Sequence, residues 1–424
     1  MIMTSRRVLF VTSSFPRWAG DSSGPFILNL AQDLRALGWD VDVLAPHAPS
    51  AATRENFAGI AVRRFRYAFP VTAETVCYGA GALHNLVHNP WNAAKLPGLV
   101  MAEWLAVMRR LATGQYRLVH SHWILPQGIV AGMAARILGV PHVATVHGSD
   151  LFALQGTLHA RLKRQAIRWA DAVTVNSSAT EAAALTLVPG ARHIHRIPIG
   201  ASDEAAAASR VAELRARFRS GTGPLLAFVG RIVEQKGVMD LIRAVALLAR
   251  SQPGAGAVIV GDGPARLPAE RLVRELGIAD QIAFVGQVAP EEIPAYLAAA
   301  DVFVGPSRRT ADGALEGQGL SVVEAMLAGC PVVATRNGGI VDAIRHEETG
   351  LLVAEGAPAE IAASVARIVT DPMLSARLRQ NAGILARRNF TRQVSARAFS
   401  ALFDSVATRR RGTCGGTQPA DRPA

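Results

Sequence analysis

The run Ala328-Gly329-Cys330-Pro331-Val332-Val333-Ala334-Thr335, continued by Asn337-Gly338-Gly339-Ile340 and Glu348-Thr349-Gly350-Leu351-Leu352-Val353, leaves this chain few folds to choose from. It spells a helix end, a tight turn, a buried strand, a glycine loop, a second helix and a second strand, which is a βαβ rhythm. A strand that is apolar at every position must be covered on both faces, and that is the habit of parallel sheets clad in helices. Val8-Leu9-Phe10-Val11, Val143-Ala144-Thr145-Val146, Ala172-Val173-Thr174-Val175 and Leu225-Leu226-Ala227-Phe228-Val229 repeat the theme. The chain is 50% hydrophobic but only 6% aromatic, so Ala, Val, Leu and Ile carry its cores.

A length of 424 residues suits two or three domains. The first half opens with a strand to Ser13 and a loop from Ser14 to Pro25 that contains Gly20 and Gly24. A helix from Phe26 to Leu37 follows, then a strand from Trp39 to Pro46. Later, Leu118-Val119-His120 leads into Ser121-His122-Trp123. Polar and Ala-rich residues between Pro198 and Ala208 mark a boundary, which gives domains at 1–205 and 206–386. Residues 387–408 hold a last amphipathic helix, Thr391 to Val406, and the Gly, Pro and Arg-rich tail 409–424 is expected to be disordered. Asn89 to Arg110, with Trp91 and Trp104, reads as a core helix rather than an interfacial one, because Pro97 and Gly98 interrupt its apolar pattern.

Cys77, Cys330 and Cys414 form an odd, scattered set without a C-x-x-C, which speaks for a reducing compartment and against structural zinc. The first apolar run is too short for a signal peptide, and no stretch has the length of a transmembrane helix. A cytoplasmic protein is expected. The net charge of +12 permits nucleic acid, an anionic membrane or an anionic substrate as partner. No nucleic-acid fold signature accompanies it. A protein working on lipid-linked acceptors at the inner face of the membrane would gain from such charge.

Chemistry concentrates in Glu316-Gly317-Gln318-Gly319-Leu320-Ser321-Val322-Val323-Glu324. A flexible glycine-rich loop carries Glu316, and an apolar helical run from Ser321 carries Glu324 near its start. Gly317 and Gly319 let backbone approach a ligand, and the new helix directs amide N–H groups and its positive dipole end toward an anion. Two carboxylates beside an anion site suit a ligand bearing both phosphates and sugar hydroxyls. Arg231 and Lys236 share one strand-to-helix loop at the carboxyl end of a strand, where open α/β sheets place their ligands.

In order and spacing, Val229-Gly230-Arg231…Lys236-Gly237, Val260-Gly261-Asp262-Gly263-Pro264, the Glu316…Glu324 loop with Gly329-Cys330-Pro331-Val332-Val333, and His147-Gly148-Ser149-Asp150 resemble the retaining nucleotide-sugar glycosyltransferases of family 4. The resemblance covers about Val8 to Phe403. It implies the α/β GT-B fold: two Rossmann-like parallel-sheet domains with an interdomain cleft, and a C-terminal helix packing back on the N-terminal domain. The N-terminal domain would serve the acceptor and the C-terminal domain the nucleotide sugar. By the same resemblance His147 contacts the transferred sugar. Gly24, Gly317, Gly319, Leu320 and Ser321 join Arg231, Lys236 and Glu324 in holding the donor. His147, Arg231, Lys236 and Glu316 are the expected catalytic set. Glu324, fixed on the helix, is assigned to the ribose hydroxyls, and Glu316 to the sugar.

Several look-alikes are set aside. Asp40-Val41-Asp42 imitates a metal-binding Asp-x-Asp but lies inside an alternating strand, so it reads as structural. No metal and no cofactor are expected, and the leaving diphosphate then falls to Arg231, Lys236 and the helix near Ser321. Val260-Gly261-Asp262-Gly263-Pro264 lacks the third glycine of a dinucleotide fingerprint. His120 and His122 are read as pointing to opposite sides of their strand and so as no metal pair; they shape the acceptor side. Pro198-Ile199-Gly200 stands where many relatives have Pro-Asn-Gly, and Phe284 to Val288 marks a base-recognition segment without naming the base. The resulting expectation is hexose transfer to a glycan or lipid-linked hydroxyl in polysaccharide or glycolipid synthesis. A nucleotide-sugar 2-epimerase and a non-catalytic sugar-nucleotide sensor remain the alternatives.

Overall fold

The computed structural model describes residues 6–21, 23–79, 81–153, 156–219, 221–311 and 313–414. The chain divides into two compact units. The first runs to Val175 and adds Ala184–Ile197 and the chain from Ala396 onward; the second comprises Asn176–Ala183 and Pro198–Ser395.

Strands of the first unit are β1 (Arg7–Val11), β2 (Asp40–Pro46), β3 (Arg54–Phe57), β4 (Ile60–Phe65), β5 (Leu118–His122), β6 (His142–Val146), β7 (Ala172–Val175) and β8 (Ile194–Arg196). They lie in the order β3-β4-β2-β1-β5-β6-β7-β8. Among the described residues of this unit only the edge strand β3 pairs antiparallel, with β4. Neighbouring residues of a pleated strand point to opposite faces. Val8 and Phe10 of β1 accordingly join one core with Ile27 and Leu34, while Leu9 and Val11 join another with Val107, Val130 and Ala134. Two helix layers thus explain why β1 has no polar face.

The helix Arg392–Cys414 supplies Phe399 and Phe403 to the first of those cores. Trp39 Nε1 donates to Ser400 Oγ at 3.0 Å, and Arg6 pairs with Asp404. This helix therefore packs on the first sheet. It also continues to Cys414, where the tail from Arg409 was expected to be disordered; residues 415–424 lie outside the described residues.

The second unit contains β9 (Leu225–Val229), β10 (Gly256–Val260), β11 (Ile282–Gly286), β12 (Val302–Gly305), β13 (Val332–Thr335) and β14 (Leu351–Val353). Their order is β11-β10-β9-β12-β13-β14 with every pairing parallel. Counted from β9 this is the doubly wound order 3-2-1-4-5-6, whose direction reverses between its first and fourth strands. The reversal lies between β9 and β12 here, and between β1 and β5 in the first unit. The second unit starts at Pro198, earlier than the expected 206, and takes in Asn176–Ala183. Ser178 ties that segment in, its N–H and Oγ each donating to the Asp342 carboxylate at 2.6 Å.

The stretch around Trp91 differs from expectation. Pro90–Lys95 is a 3₁₀ segment and Leu96–Leu111 an α-helix with Pro97 in its first turn. Proline starts a helix readily there because its missing N–H has no partner to lose. Leu99, Val107 and Leu111 are buried, but Trp91 and Met101 are exposed, so only one side of this segment is core. Among the described residues no helix is long and apolar enough to cross a membrane.

Candidate active site

The carboxyl ends of β9, β12 and β13 deliver the residues of the second unit's site, at the point where the strand order reverses. After β9, Gly230 and Arg231 lead to a 3₁₀ turn Glu234–Lys236 and the helix Val238–Leu248. Gly237 is obligatory: φ is 66°, and a Cβ would overlap the Pro306 carbonyl oxygen. This crossing of the β9 and β12 loops places Lys236 over the second. Lys236 Nζ donates to Glu316 Oε2 at 2.7 Å, and Ser307 Oγ donates to the same oxygen at 3.0 Å. Arg231 extends into solvent.

Glu316 does not sit on a flexible loop. Its backbone N–H donates to Asn337 Oδ1 at 2.8 Å, and its carbonyl accepts from Gly339 N–H at 2.9 Å. Gln235 Nε2 binds the preceding carbonyl, of Leu315. A Cβ at Gly338 would overlap the Glu316 carbonyl oxygen, and one at Gly339 the Gly317 oxygen. The Asn337-Gly338-Gly339 loop after β13 thus clamps the Glu316 loop by backbone contact. Gln318 is equally fixed: its Oε1 accepts from Ile199 N–H at 2.7 Å and its Nε2 donates to the Ile199 carbonyl at 2.8 Å. Because Gln318 reads only backbone, Ile in place of Asn at position 199 leaves this pairing intact.

The helix Leu320–Leu327 starts from Gly319, at φ 76°, and has no side-chain cap. Its first turn, with Leu320 and Ser321, therefore presents amide N–H groups to a ligand, as phosphate sites do. The two carboxylates differ in charge state. Burial pushes the Glu316 carboxyl upward, but the Lys236 charge and hydrogen bonds from Lys236, Ser307 and the Gly319 N–H outweigh it and hold it below the usual range. Glu324 is pushed up to about 7 by burial, against the pull of Lys236. Glu316 is a fixed anion and Glu324 is poised near neutrality.

Gly24 and His147 belong to the first unit, where the helix that follows Gly24 reaches His147 through Phe26. Gly24, at φ 68°, precedes the helix Pro25–Ala36, and a Cβ on it would come within 2.8 Å of the Ser14 carbonyl oxygen. Phe26 of that helix lies against His147 with ring centroids 5.0 Å apart. His147 follows β6, and Asp150 orients its backbone rather than its ring. One carboxylate oxygen accepts from His147 N–H at 3.1 Å, the other from Ile124 N–H at 2.8 Å.

His147 Nε2 lies 3.2 Å from His122 Nδ1. Burial pushes His147 down to about 3, so its ring is neutral and serves as a hydrogen-bonding group. His120 and His122 do not point to opposite sides. Both sit on β5, their ring centroids are 4.2 Å apart, and residues two apart on a pleat share a face. His120 Nε2 continues to Thr145 Oγ1 at 2.6 Å.

Asp40 and Asp42 serve the sheet: both pair with Arg7, and Asp42 also accepts from Arg110 and Tyr116. Gly261 and Gly263 are present because a Cβ on either would overlap the Gly230 or Ile232 carbonyl oxygen. No group of three or more His, Cys, Asp or Glu among the described residues is placed to hold a metal ion. The sequence reading missed Ser307, Asn337 and Gln318 as supports, and it placed His122 on the acceptor side without its contact to His147. Asn337 carried a signal, a Gly-Gly pair at a strand end; Ser307 carried none.

Residues 211–383 match the family described as glycosyl transferases group 1, and residues 23–200 match a glycosyl transferase 4-like domain. The chain is 33% identical to a 2-deoxystreptamine glucosyltransferase of Streptomyces kanamyceticus over 364 residues, covering 82% of this chain and 89% of that protein. A GDP-mannose-dependent alpha-(1-6)-phosphatidylinositol monomannoside mannosyltransferase of Mycobacterium tuberculosis is 34% identical over 245 residues, 56% of this chain and 63% of that one. Among solved structures, a sucrose-phosphate synthase from Thermosynechococcus elongatus superposes with a TM-score of 0.77 at 24% identity, covering 95% of this chain and 100% of that chain.

Proposed function

The chain belongs to the group 1 glycosyl transferases, glycosyltransferase family 4, and from that premise we propose a retaining, metal-independent hexosyl transfer. The donor is a nucleoside diphosphate sugar. The acceptor is a hydroxyl of a glycan or lipid-linked molecule in cell-surface polysaccharide or glycolipid synthesis, with peripheral contact to an anionic membrane. The names of the glucosyl- and mannosyltransferase relatives support hexosyl transfer, and a phosphatidylinositol-derived acceptor in one of them supports a lipid link.

The observation that carries this reading is the Lys236–Glu316 pair beside the uncapped helix at Gly319. Lys236, Arg231 and the amides of Leu320 and Ser321 hold the diphosphate, with Gly317 and Gly319 giving it room. Gly24 is assigned a backbone contact with the donor. Glu324 takes the ribose hydroxyls. Glu316, ionised and fixed, aligns the transferred sugar, and neutral His147 hydrogen-bonds its hydroxyls. As the sugar's C1–O bond to the diphosphate breaks, positive charge grows at C1 and negative charge on the leaving oxygen. Lys236 and Arg231 stabilise that oxygen, which takes the acceptor's proton while the new C1–O bond forms on the same face.

Incubation of the pure protein with single UDP- and GDP-sugars tests the reading. Slow release of nucleoside diphosphate that persists in EDTA is the expected result. An isomerised sugar nucleotide would make the protein an epimerase, binding without turnover a sensor. Loss of activity in EDTA with recovery in manganese would remove metal independence.

A further inference from the structure

A polar row crosses the apolar core that the first sheet shares with the helix Arg392–Cys414. It consists of His120 and His122 on β5, Thr145 on β6 and Thr174 on β7, and none of them is more than 4% exposed. The register sets Thr145 opposite Thr174, and the side chains of His120 and Thr145 meet on one face of the pleat. Phe10, Phe399 and Phe403 surround His120 at ring distances of 4.8 to 5.4 Å. Polar groups in such a setting break the apolar rule of the sheet, and breaks of that kind gather at functional sites.

The hydroxyls satisfy one another. His120 Nε2 lies 2.6 Å from Thr145 Oγ1, and that oxygen lies 2.6 Å from Thr174 Oγ1. His122 is different. Its Nδ1 lies 3.2 Å from His147 Nε2, and its own Nε2 is buried with no hydrogen-bond partner among the described residues. Phe10 and His120 pack its ring at 5.0 and 4.2 Å, while Phe26 and Trp123 pack that of His147 at 5.0 and 4.9 Å. Both imidazoles are therefore held in place, and what is left to decide is the proton between them.

Two neutral imidazoles bond only as donor and acceptor. Both rings are neutral, because burial holds them well below their ordinary range. If His147 donated, His122 would accept on Nδ1 and carry its own proton on Nε2, an N–H buried without an acceptor. If His122 donates, its Nε2 buries only a lone pair. A buried N–H without an acceptor is the rarer of the two. The second arrangement prevails, and it puts the His147 proton on Nδ1.

We propose that His122 is a positioning residue: by donating from Nδ1 it fixes His147 as the tautomer protonated on Nδ1. The His147 nitrogen not bound to His122 is then a hydrogen-bond donor, and a hydroxyl oxygen of the transferred sugar is the acceptor it suits. His122, buried, acts through His147. The proposal rests on the transferase reading above for the identity of the ligand and adds what sets the polarity of the group that meets it.

Nitrogen–proton correlation spectra of the full chain, labelled at the histidine ring nitrogens, test the tautomer, with His147→Gln identifying the His147 signals. A proton on Nδ1 is expected; a proton on Nε2 overturns the proposal. His122→Phe keeps the bulk and removes the donor. It should turn the His147 signal into a mixture of tautomers and lower kcat about three- to tenfold, the worth of one hydrogen bond. KM for a UDP- or GDP-sugar and affinity for the free nucleoside diphosphate should stay as in the wild type. His122→Asn, whose amide reaches the place of Nδ1, should restore most of the rate. Wild-type kcat in folded His122→Phe overturns the proposal, and so does a His122→Asn as slow as His122→Phe. Should the Phe variant fail to fold, the wild-type spectrum and the Asn variant still decide. Nucleoside diphosphate release by the wild type reports the transferase reading separately: its absence sinks that reading, while the spectrum still decides the tautomer.

Discussion

Glu316 and Glu324 carry the same group in opposite electrical situations, and the difference assigns their work. Glu316 keeps its charge because Lys236 and Ser307 hold one oxygen, whereas Glu324 is pushed up to about 7 by burial. Lys236→Ala should weaken nucleoside diphosphate binding and slow turnover about 10² to 10³-fold, typical of losing one electrostatic stabiliser. Glu324→Ala should weaken donor and free nucleoside diphosphate alike. Glu316→Ala should spare free nucleotide and lower kcat, since it removes an interaction with the reacting sugar. Calorimetry with the nucleoside diphosphate beside steady-state rates decides the matter, and the reverse pattern would mean the two assignments must be exchanged. Both glutamates were legible from spacing, because a loop glycine pair before an apolar helix is a local signal. Ser307 was not, since only the folded crossing of two loops brings its hydroxyl to Glu316.

At the scale of elements, strands and helices were legible because apolar runs and helical spacing are written locally, whereas the strand order, and with it the reversal points, is a property of the folded sheets. What misled was the reading of the pleat at His120 and His122, two residues apart and therefore side by side. The mobility expected at Glu316 failed for a different reason. Its restraint comes from the loop after β13, distant in sequence, through backbone contacts that have no side-chain signature. That clamp makes its own prediction. Gly338 sits at φ 51° with no room for a Cβ beneath the Glu316 carbonyl. Gly338→Ala should displace Glu316, reduce kcat more than it raises KM, and lower the melting temperature of the second unit. A penalty of about 1–3 kcal/mol corresponds to several degrees. An unchanged kcat in a folded variant would show that the clamp does not position the carboxylate.

The whole molecule sums its buried ionisable groups into a stability profile. In the first unit, His120 and His122 are held well below the ordinary 6.5 and His147 down to about 3, by burial first of all. Below pH 6.5 the unfolded chain gains protons these rings refuse, so stability falls as the solution is acidified. Glu103 works in the other direction. Burial raises it from 4.5 to about 8, against a hydrogen bond from Gln127, so the folded chain holds a proton the unfolded chain has lost. Its contribution is complete below pH 4.5 and is lost as pH rises toward 8. Between those values three histidines favour higher pH and one glutamate lower, so the histidines prevail until they stop titrating near 6.5. Above that only Glu103 slopes the curve among these four groups, and stability declines. The contribution of these four groups should therefore rise with pH up to about 6.5 and decline above it. Glu103→Gln, which keeps the shape without the ionisation, should flatten the decline between 6.5 and about 8 and leave the acid limb as steep. Scanning calorimetry across that range, with the two units' transitions resolved, reads it directly. A decline of equal slope in the variant would place its cause in another group.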